Sequence, residues 1–306
     1  MRVVIAGGSG FLGTRLTDAL VGRGDEVTTL TRRPDSASKS GPVSQVGWKA
    51  DGTADGTLIA AVDAADAVVN LAGAGIADRR WTTARKRLLR DSRILPTQSL
   101  VQAVRASSSR PRIFIQGSAV GYYGATLDDT IFDESAAPGA DFLGRLCADW
   151  EREAEPAAEA GCRLVCERTG IVLAREGGAL PVMARPFRFF VGGPIASGHQ
   201  YFPWIHVDDW VAMTLWAIDT GSVEGPLNGT APHPVTNAEF SRELGRALRR
   251  PSWLPVPGFA LKLLVGEFAE DGLIKGQRVI PARAIEMGFR FSYADVQKAL
   301  SAIYGR

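Results

Sequence analysis

The chain has 306 residues, 45% of them hydrophobic and 22% charged, with a formal net charge of +2 at pH 7. These values suit a globular protein of one large or two small domains. They exclude a dedicated nucleic-acid binder, which would be far more basic. No run of about 18 apolar residues occurs, so no membrane span is expected. The opening MRVVIAGGSG is too short an apolar run for a secretory signal. The cysteines, Cys147, Cys162 and Cys166, form no disulfide framework. The expectation is a cytoplasmic protein with reduced thiols. Its expected partner is a small-molecule substrate, with neither nucleic acid nor membrane, and it is a monomer or a homodimer.

Arg2–Ala6 reads as a strand that runs into glycines, and Gly10 to Val21 has helical periodicity through Leu12, Leu16 and Leu20. Glu26–Thr31 is a second strand. Residues 33–56 are polar and rich in turn formers, with a short strand over Val43–Trp48. Ala67–Leu71 reads as a buried strand, Trp81–Val104 as a long helix and Arg112–Gln116 as a strand before a glycine-rich loop. A helix over Phe142–Glu159 and a strand over Arg163–Thr169 follow. This alternation predicts an α/β fold, a Rossmann-type doubly wound parallel sheet. Residues 1–174 form its nucleotide-binding domain. From about 175 the pattern turns irregular and predicts a smaller C-terminal substrate lobe, 175–306, interleaved with the first and including the segment 251–306.

The stretch VVIAGGSGFLGTRL sets Gly7, Gly10 and Gly13 three residues apart, between a strand and a helix. That context makes it a dinucleotide fingerprint. Gly7 permits the tight turn, Gly10 lets backbone approach the pyrophosphate, and Gly13 lets the helix pack on the strand. Ser9, Phe11 and Leu12 complete the loop and the helix start, where the dipole favours phosphate. An NAD-binding chain carries Asp or Glu at the end of the second strand, to bond the ribose hydroxyl. Here TLTRRP places Thr31, Arg32 and Arg33 there. Arginine pairs with a 2′-phosphate that an acid would repel, so the expected cofactor is NADP.

With these residues the chain resembles an extended short-chain dehydrogenase/reductase. More closely, it is similar to the atypical epimerase-family branch, some members of which carry a cell-division-inhibitor label. The likeness rests on GGSGFLG, NLAG (70–73), SRILPT (92–97), QGSAVGYYG (116–124), RTGIVL (168–173), WIHVDDWV (204–211) and the C-terminal GQRVIPARAIEMGFRFSYADVQKAL. It implies that Asn70, Leu71, Ala72 and Gly73 line the adenosine side of the cofactor. It sets Arg93 where relatives place an asparagine near the cofactor, within reach of its phosphates, and runs Gly170, Ile171 and Val172 beside the nicotinamide.

The same resemblance implies a Tyr-x-x-x-Lys pair for acid–base work and a serine that orients substrate. Ser118 matches the serine. The tyrosine position falls on Leu143 and the lysine position on Cys147; a shift by one offers Phe142 and Leu146. Tyr122 or Tyr123 can stand in as proton donor, or can simply pack. Cys147 reads as a core residue, and Asp149 and Glu151 as a solvated face or structural salt bridges. His206 and Asp208 would share a strand face in a structural role. His199, His206 and His233 lack metal-ligand spacing. Arg185 and Arg188 lie three apart on a helix, facing an anionic substrate or solvent. The helix ALKLLVGEFA and the strand-like GFRF would close over the pocket, build a dimer surface or join the core. The reading that follows is an NADP(H)-binding oxidoreductase or epimerase of a small polar substrate. The alternative is a non-catalytic NADP(H)-binding module that reports redox state to a protein partner.

Overall fold

In the computed structural model, which describes residues 1–33 and 42–305, strands and helices alternate from the first residues onward. The order is β1 (Arg2–Ala6), α1 (Phe11–Gly22), β2 (Glu26–Thr31), β3 (Val43–Gly47), α2 (Gly56–Asp63), β4 (Ala67–Asn70), α3 (Thr83–Ala106) and β5 (Ile113–Ala119). A single 3-10 turn, Val120–Tyr123, leads to β6 (Ile131–Phe132), α4 (Phe142–Arg152), α5 (Glu155–Glu159), β7 (Arg163–Thr169) and β8 (Ile171–Leu173). Then come α6 (Leu180–Arg188), β9 (Tyr201–Phe202), β10 (Trp204–His206), α7 (Val207–Asp219), β11 (Gly225–Gly229) and β12 (Val235–Thr236). The chain ends with α8 (Asn237–Leu248), α9 (Gly258–Val265), β13 (Arg278–Val279), α10 (Ala282–Glu286) and α11 (Val296–Tyr304). The early part of the turn-rich stretch, 34–41, lies outside the described residues.

Seven parallel strands make the central sheet, in the order β11-β7-β5-β4-β1-β2-β3. The inner strands are apolar on both faces because helices cover both, as a parallel sheet requires. One face packs Leu16 and Leu20 of α1 against Trp210 and Met213 of α7. The other packs Leu58 of α2, Leu100 of α3 and Ala157 of α5. Residues on both sides of position 174 build the sheet, since β11 pairs with β7 after a long excursion. A third core, around Trp204, Phe240 and Leu300, holds the smaller lobe together.

Several local expectations change. The expected helix 142–159 divides into α4 and α5, because Pro156 cannot continue a helix begun at Phe142. α2 lies unforeseen at the end of the turn-rich stretch, capped by the Asp55 carboxylate on the Leu58 amide. GFRF is irregular rather than a strand; Phe289 and Phe291 pack edge to face, 4.8 Å apart, against the main core. His206 and Asp208 do not share a strand face. His206 ends β10 and caps α7, its Nδ1 accepting the Asp208 amide at 3.1 Å. Burial holds the His206 pKa below its ordinary value, against the opposing pull of Asp208 and Asp209. Asp209, buried one residue further on, accepts the amides of Ser292 and Tyr293, both at 2.8 Å. It thereby pins the C-terminal segment to the start of α7.

Candidate active site

The C-terminal ends of β1, β4, β5 and β7 converge on one edge of the sheet, where open α/β sheets place ligands. Gly7 leaves β1 with φ +82°, and a Cβ there would lie 2.7 Å from the carbonyl group of Leu71. A Cβ on Gly13 would collide with the Gly7 carbonyl and lie 2.7 Å from the Gly8 Cα. The loop and α1 are therefore in backbone contact, which only glycine permits. The cap of α1 is Gly10, with no side-chain hydrogen bond and no acid in the first turn. The first amides of the helix, from Phe11 onward, thus keep their positive potential. Ser9 is exposed, Leu12 packs into the core, and a Cβ on Gly177 would run into the Phe11 ring.

At the end of β2, the Thr31 hydroxyl accepts the Arg33 amide at 3.2 Å, which sets the turn. Arg32 and Arg33 are exposed, and neither has a carboxylate partner among the described residues. Asn70 is fully buried. Its amide donates to Thr97 at 2.8 Å and to Gln116 at 3.0 Å, and its oxygen accepts the Ala72 amide at 3.2 Å. Its side chain therefore shapes the Leu71–Gly73 loop from beneath. Arg93 lies under that loop, donating to the carbonyls of Ala74 (3.2 Å) and Leu89 (3.0 Å) and resting over the Trp150 ring. It makes no ion pair among the described residues, so the surface salt bridge that an arginine on α3 could make is absent. Burial pulls its pKa down, the signature of a cation short of a counter-charge. Gly170 donates to Gly229 at 2.9 Å, and Ile171 and Val172 pair with Trp204 and Ile205.

Ser118 lies almost at the end of β5 and is only 5% exposed. Its hydroxyl donates to Glu151 of α4 at 2.6 Å. Arg168, paired with Ser118 across β5 and β7, grips the same carboxylate with two hydrogen bonds of 2.9 Å. Burial opposes the Arg168 cation, but the Glu151 carboxylate reverses this and holds its pKa above the ordinary value. Arg168 also donates to the Tyr123 hydroxyl at 3.0 Å, and that hydroxyl donates to Asn228 at 2.6 Å. Asn228 stands beside Arg168 on β11, and its amide donates to Glu134 at 3.0 Å. Burial pushes the Tyr123 phenol up to about 12. The Tyr122 ring lies 3.4 Å beneath the Arg168 guanidinium, and its hydroxyl has no protein partner among the described residues.

Ser118 and Tyr123 are thus brought into one network, with Tyr122 beside it. Glu151, Arg168, Asn228 and Glu134 complete that network. Of the two readings of Glu151 the structural salt bridge holds, while its link to Ser118 and the parts of Asn228 and Glu134 were not foreseen. One signal was available: Cys147 and Glu151 stand four apart on one helix face, and Glu167 and Arg168 follow directly on the apolar run Leu164, Val165 and Cys166 of β7. Leu143 packs against Gly121, and Cys147 is buried beside Arg93, its thiol pushed by burial up to about 12. Neither can exchange a proton near neutral pH, and the Cys147 thiol is no nucleophile.

A family model described as "NAD dependent epimerase/dehydratase family" matches residues 3–228, and one described as a domain of unknown function (DUF1731) matches 256–303. Epimerase family protein ML0860 of Mycobacterium leprae is 44% identical over 98% of this chain and 94% of its own. A crystal structure of human epimerase family protein SDR39U1 (isoform 2) with NADPH is 35% identical, covers 99% of both chains and superposes with a TM-score of 0.86. A structure named as a nucleoside-diphosphate sugar epimerase, from Corynebacterium glutamicum, is 31% identical with a TM-score of 0.80; it covers all of this chain and 58% of that one. With the glycine cradle, the parallel sheet and the C-terminal segment all accounted for, the chain belongs to the NAD dependent epimerase/dehydratase family, among the epimerase family proteins of the extended short-chain dehydrogenase/reductase type.

Proposed function

We propose that the protein binds NADP(H) and acts as an oxidoreductase or epimerase on a small polar substrate. The observation that carries this is the uncapped start of α1 over the Gly7 cradle, joined to arginines at the end of β2 that have no carboxylate partner among the described residues. The cradle fits a pyrophosphate, because a Cβ at Gly7 or Gly13 would fill it. Arg32 and Arg33 suit a 2′-phosphate through charge-assisted hydrogen bonds. Arg93, a half-buried cation without a counter-charge among the described residues, suits a further anionic or hydroxyl-rich part of the cofactor. The NADPH in the human relative's structure supports the choice of cofactor.

When bound, the nicotinamide supplies hydride exchange with a substrate carbon. The residues of this chain hold the substrate and handle its proton. Ser118 can accept a hydrogen bond from substrate while its own O–H donates to Glu151. Of the two tyrosines, Tyr122 is the proposed proton donor, because the Tyr123 hydroxyl already serves Asn228 and Arg168. The guanidinium of Arg168 lies over the Tyr122 ring and fixes its place beside the network. The nucleoside-diphosphate sugar named for the Corynebacterium relative is the first substrate class to screen.

A second reading has its own support. Leu143 and Cys147 stand where the resemblance places an acid–base pair, and the Ser118 and Tyr123 hydroxyls are engaged inside the protein. A protein so built can bind NADP(H) and signal its redox state without turnover. Fluorescence titration of nucleotide-stripped protein with NADPH and NADH tests what both readings share; binding of neither removes both. A substrate screen with Tyr122→Phe then separates them. Turnover that depends on Tyr122 supports the enzyme, and NADPH binding without any turnover supports the reporter.

A further inference from the structure

Of the twelve large hydrophobic side chains exposed among the described residues, eight fall in two stretches, 182–191 and 253–263. Phe189 is 68% exposed, Phe190 55% and Trp253 65%. The two stretches meet at 190–192 and 253–254. The Trp253 indole donates to the Phe190 carbonyl at 3.1 Å, and the Trp253 and Leu254 amides both donate to Gly192. Arg250 lies 4.6 Å over the Phe190 ring.

Within the stretches that carry this surface the charges have one sign, with Glu243 and Glu270 flanking them. Residues 182–191 and 246–263 contain Arg185, Arg188, Arg246, Arg249, Arg250 and Lys262 and no acid. Arg246 and Lys262 are bridged to Glu243 and Glu270. Arg185, Arg188, Arg249 and Arg250 have no carboxylate partner among the described residues.

The backbone is strained here as well. The described non-glycine residues in the left-handed region are Phe190 (φ 64°), Ala196 (φ 50°) and Arg249 (φ 54°). Phe190 and Arg249 belong to the surface, and Ala196 bonds Val256 in the loop beneath it. For a bulky residue such as phenylalanine this conformation is a genuine outlier, and strain of this kind persists where a function uses it. Glycine would fit each turn better, yet a ring and a guanidinium are displayed at two of the three.

The geometry points to a peripheral docking surface for an anionic lipid bilayer, with Phe189, Phe190 and Trp253 entering the headgroup boundary and Arg185, Arg188, Arg249 and Arg250 meeting the lipid charge. Aromatic tips ringed by cations match an interfacial surface. A bilayer accepts projecting rings without a matching pocket. A second copy would set the arginines against themselves across a two-fold axis, where like charges repel. No helix among the described residues is long and apolar enough to cross a membrane. The expectation of no membrane partner rested on the lack of an apolar span, and an interfacial contact needs none.

The test is co-sedimentation with vesicles of phosphatidylcholine alone and with roughly one-third phosphatidylglycerol. Binding is expected only to the anionic vesicles, falling as salt is raised. Arg185→Gln with Arg249→Gln should weaken it roughly thirty-fold. Phe190→Gly relieves the backbone, so it should raise Tm while lowering vesicle binding; a purely structural role for the ring would not separate the two. Equal recovery with both vesicle types, or unchanged binding by Phe190→Gly, would overturn the proposal. So would binding to a polyglutamate peptide without binding to anionic vesicles, which would reassign the surface to an acidic protein partner.

Discussion

Ser118 and Glu151 are joined by a 2.6 Å hydrogen bond in which the serine is the donor. Glu151 also holds Arg168 with both oxygens, and that pair is largely withdrawn from water, at 13% and 4% side-chain exposure. The serine at the candidate site is thus tied to a buried ion pair.

Removing one partner of such a pair leaves the other charge buried and alone. Glu151→Ala should therefore destabilise the protein by about 3–5 kcal/mol in urea unfolding. Glu151→Gln should be milder, because its oxygen still accepts from Ser118. If Glu151→Ala unfolds at the wild-type urea concentration, the pair is not a structural anchor.

The tyrosines should part company. Tyr123→Phe leaves Asn228 without a donor and should cost about 1–3 kcal/mol of stability. Tyr122→Phe should leave Tm near wild type and, once a substrate is known, lower turnover by about 10²–10⁴-fold. Full turnover by Tyr122→Phe would dismiss it as proton donor.

Glu167 is buried, accepts only the Thr214 hydroxyl, and is pushed by burial up to about 8. Its folded pKa lies above the unfolded value, so the folded state holds the proton more tightly. The stability this contributes is fully present below about pH 4.5 and is lost as pH rises through about 8. Glu167→Gln should flatten that decline and raise stability at pH 8 and above by a few kcal/mol. A parallel fall in both proteins across this window would show that another group is responsible.

Arg32→Ala with Arg33→Ala should weaken NADPH binding roughly 10- to 100-fold and leave NADH binding nearly unchanged. Equal losses for both nucleotides in a fluorescence titration would assign these arginines to something other than the 2′-phosphate.

Asp209 holds the backbone of Ser292 and Tyr293. Asp209→Ala should loosen the C-terminal segment locally, at about 3 kcal/mol. Limited proteolysis should then cut between about residues 290 and 306 before the sheet unfolds. Resistance equal to wild type would mean that the apolar contacts of α11 suffice.

The frame of the site was legible because period and glycine chemistry are local. The strands β1, β2, β4 and β7 and the helices α1 and α3 announce themselves by apolar spacing, and Gly7 and Gly13 by their place between strand and helix. The network was not legible, because its members come from α4, β7, β11 and the Glu134 loop. Glu151 reads equally as a solvated residue or a structural salt bridge; only the packing of α4 on β5 decides for the second. Asn70 looked like a ligand-facing side chain, yet its hydrogen bonds run sideways to α3 and β5. Pro156 was readable as a helix breaker, and its meaning for the 142–159 helix was local after all.

The late arrival of β11 has a consequence for biogenesis. While the chain is being synthesised, the open edge of β7 waits until about fifty more residues have emerged before its neighbour can pair. During that interval Arg168 faces no Asn228, and an unsatisfied parallel edge is available to other chains. Much of the smaller lobe's core, from Phe240 on α8 to Leu300 on α11, is made only after β11. The sheet can therefore close first, and the slow and aggregation-prone moment of folding falls at its far edge rather than at the nucleotide loop.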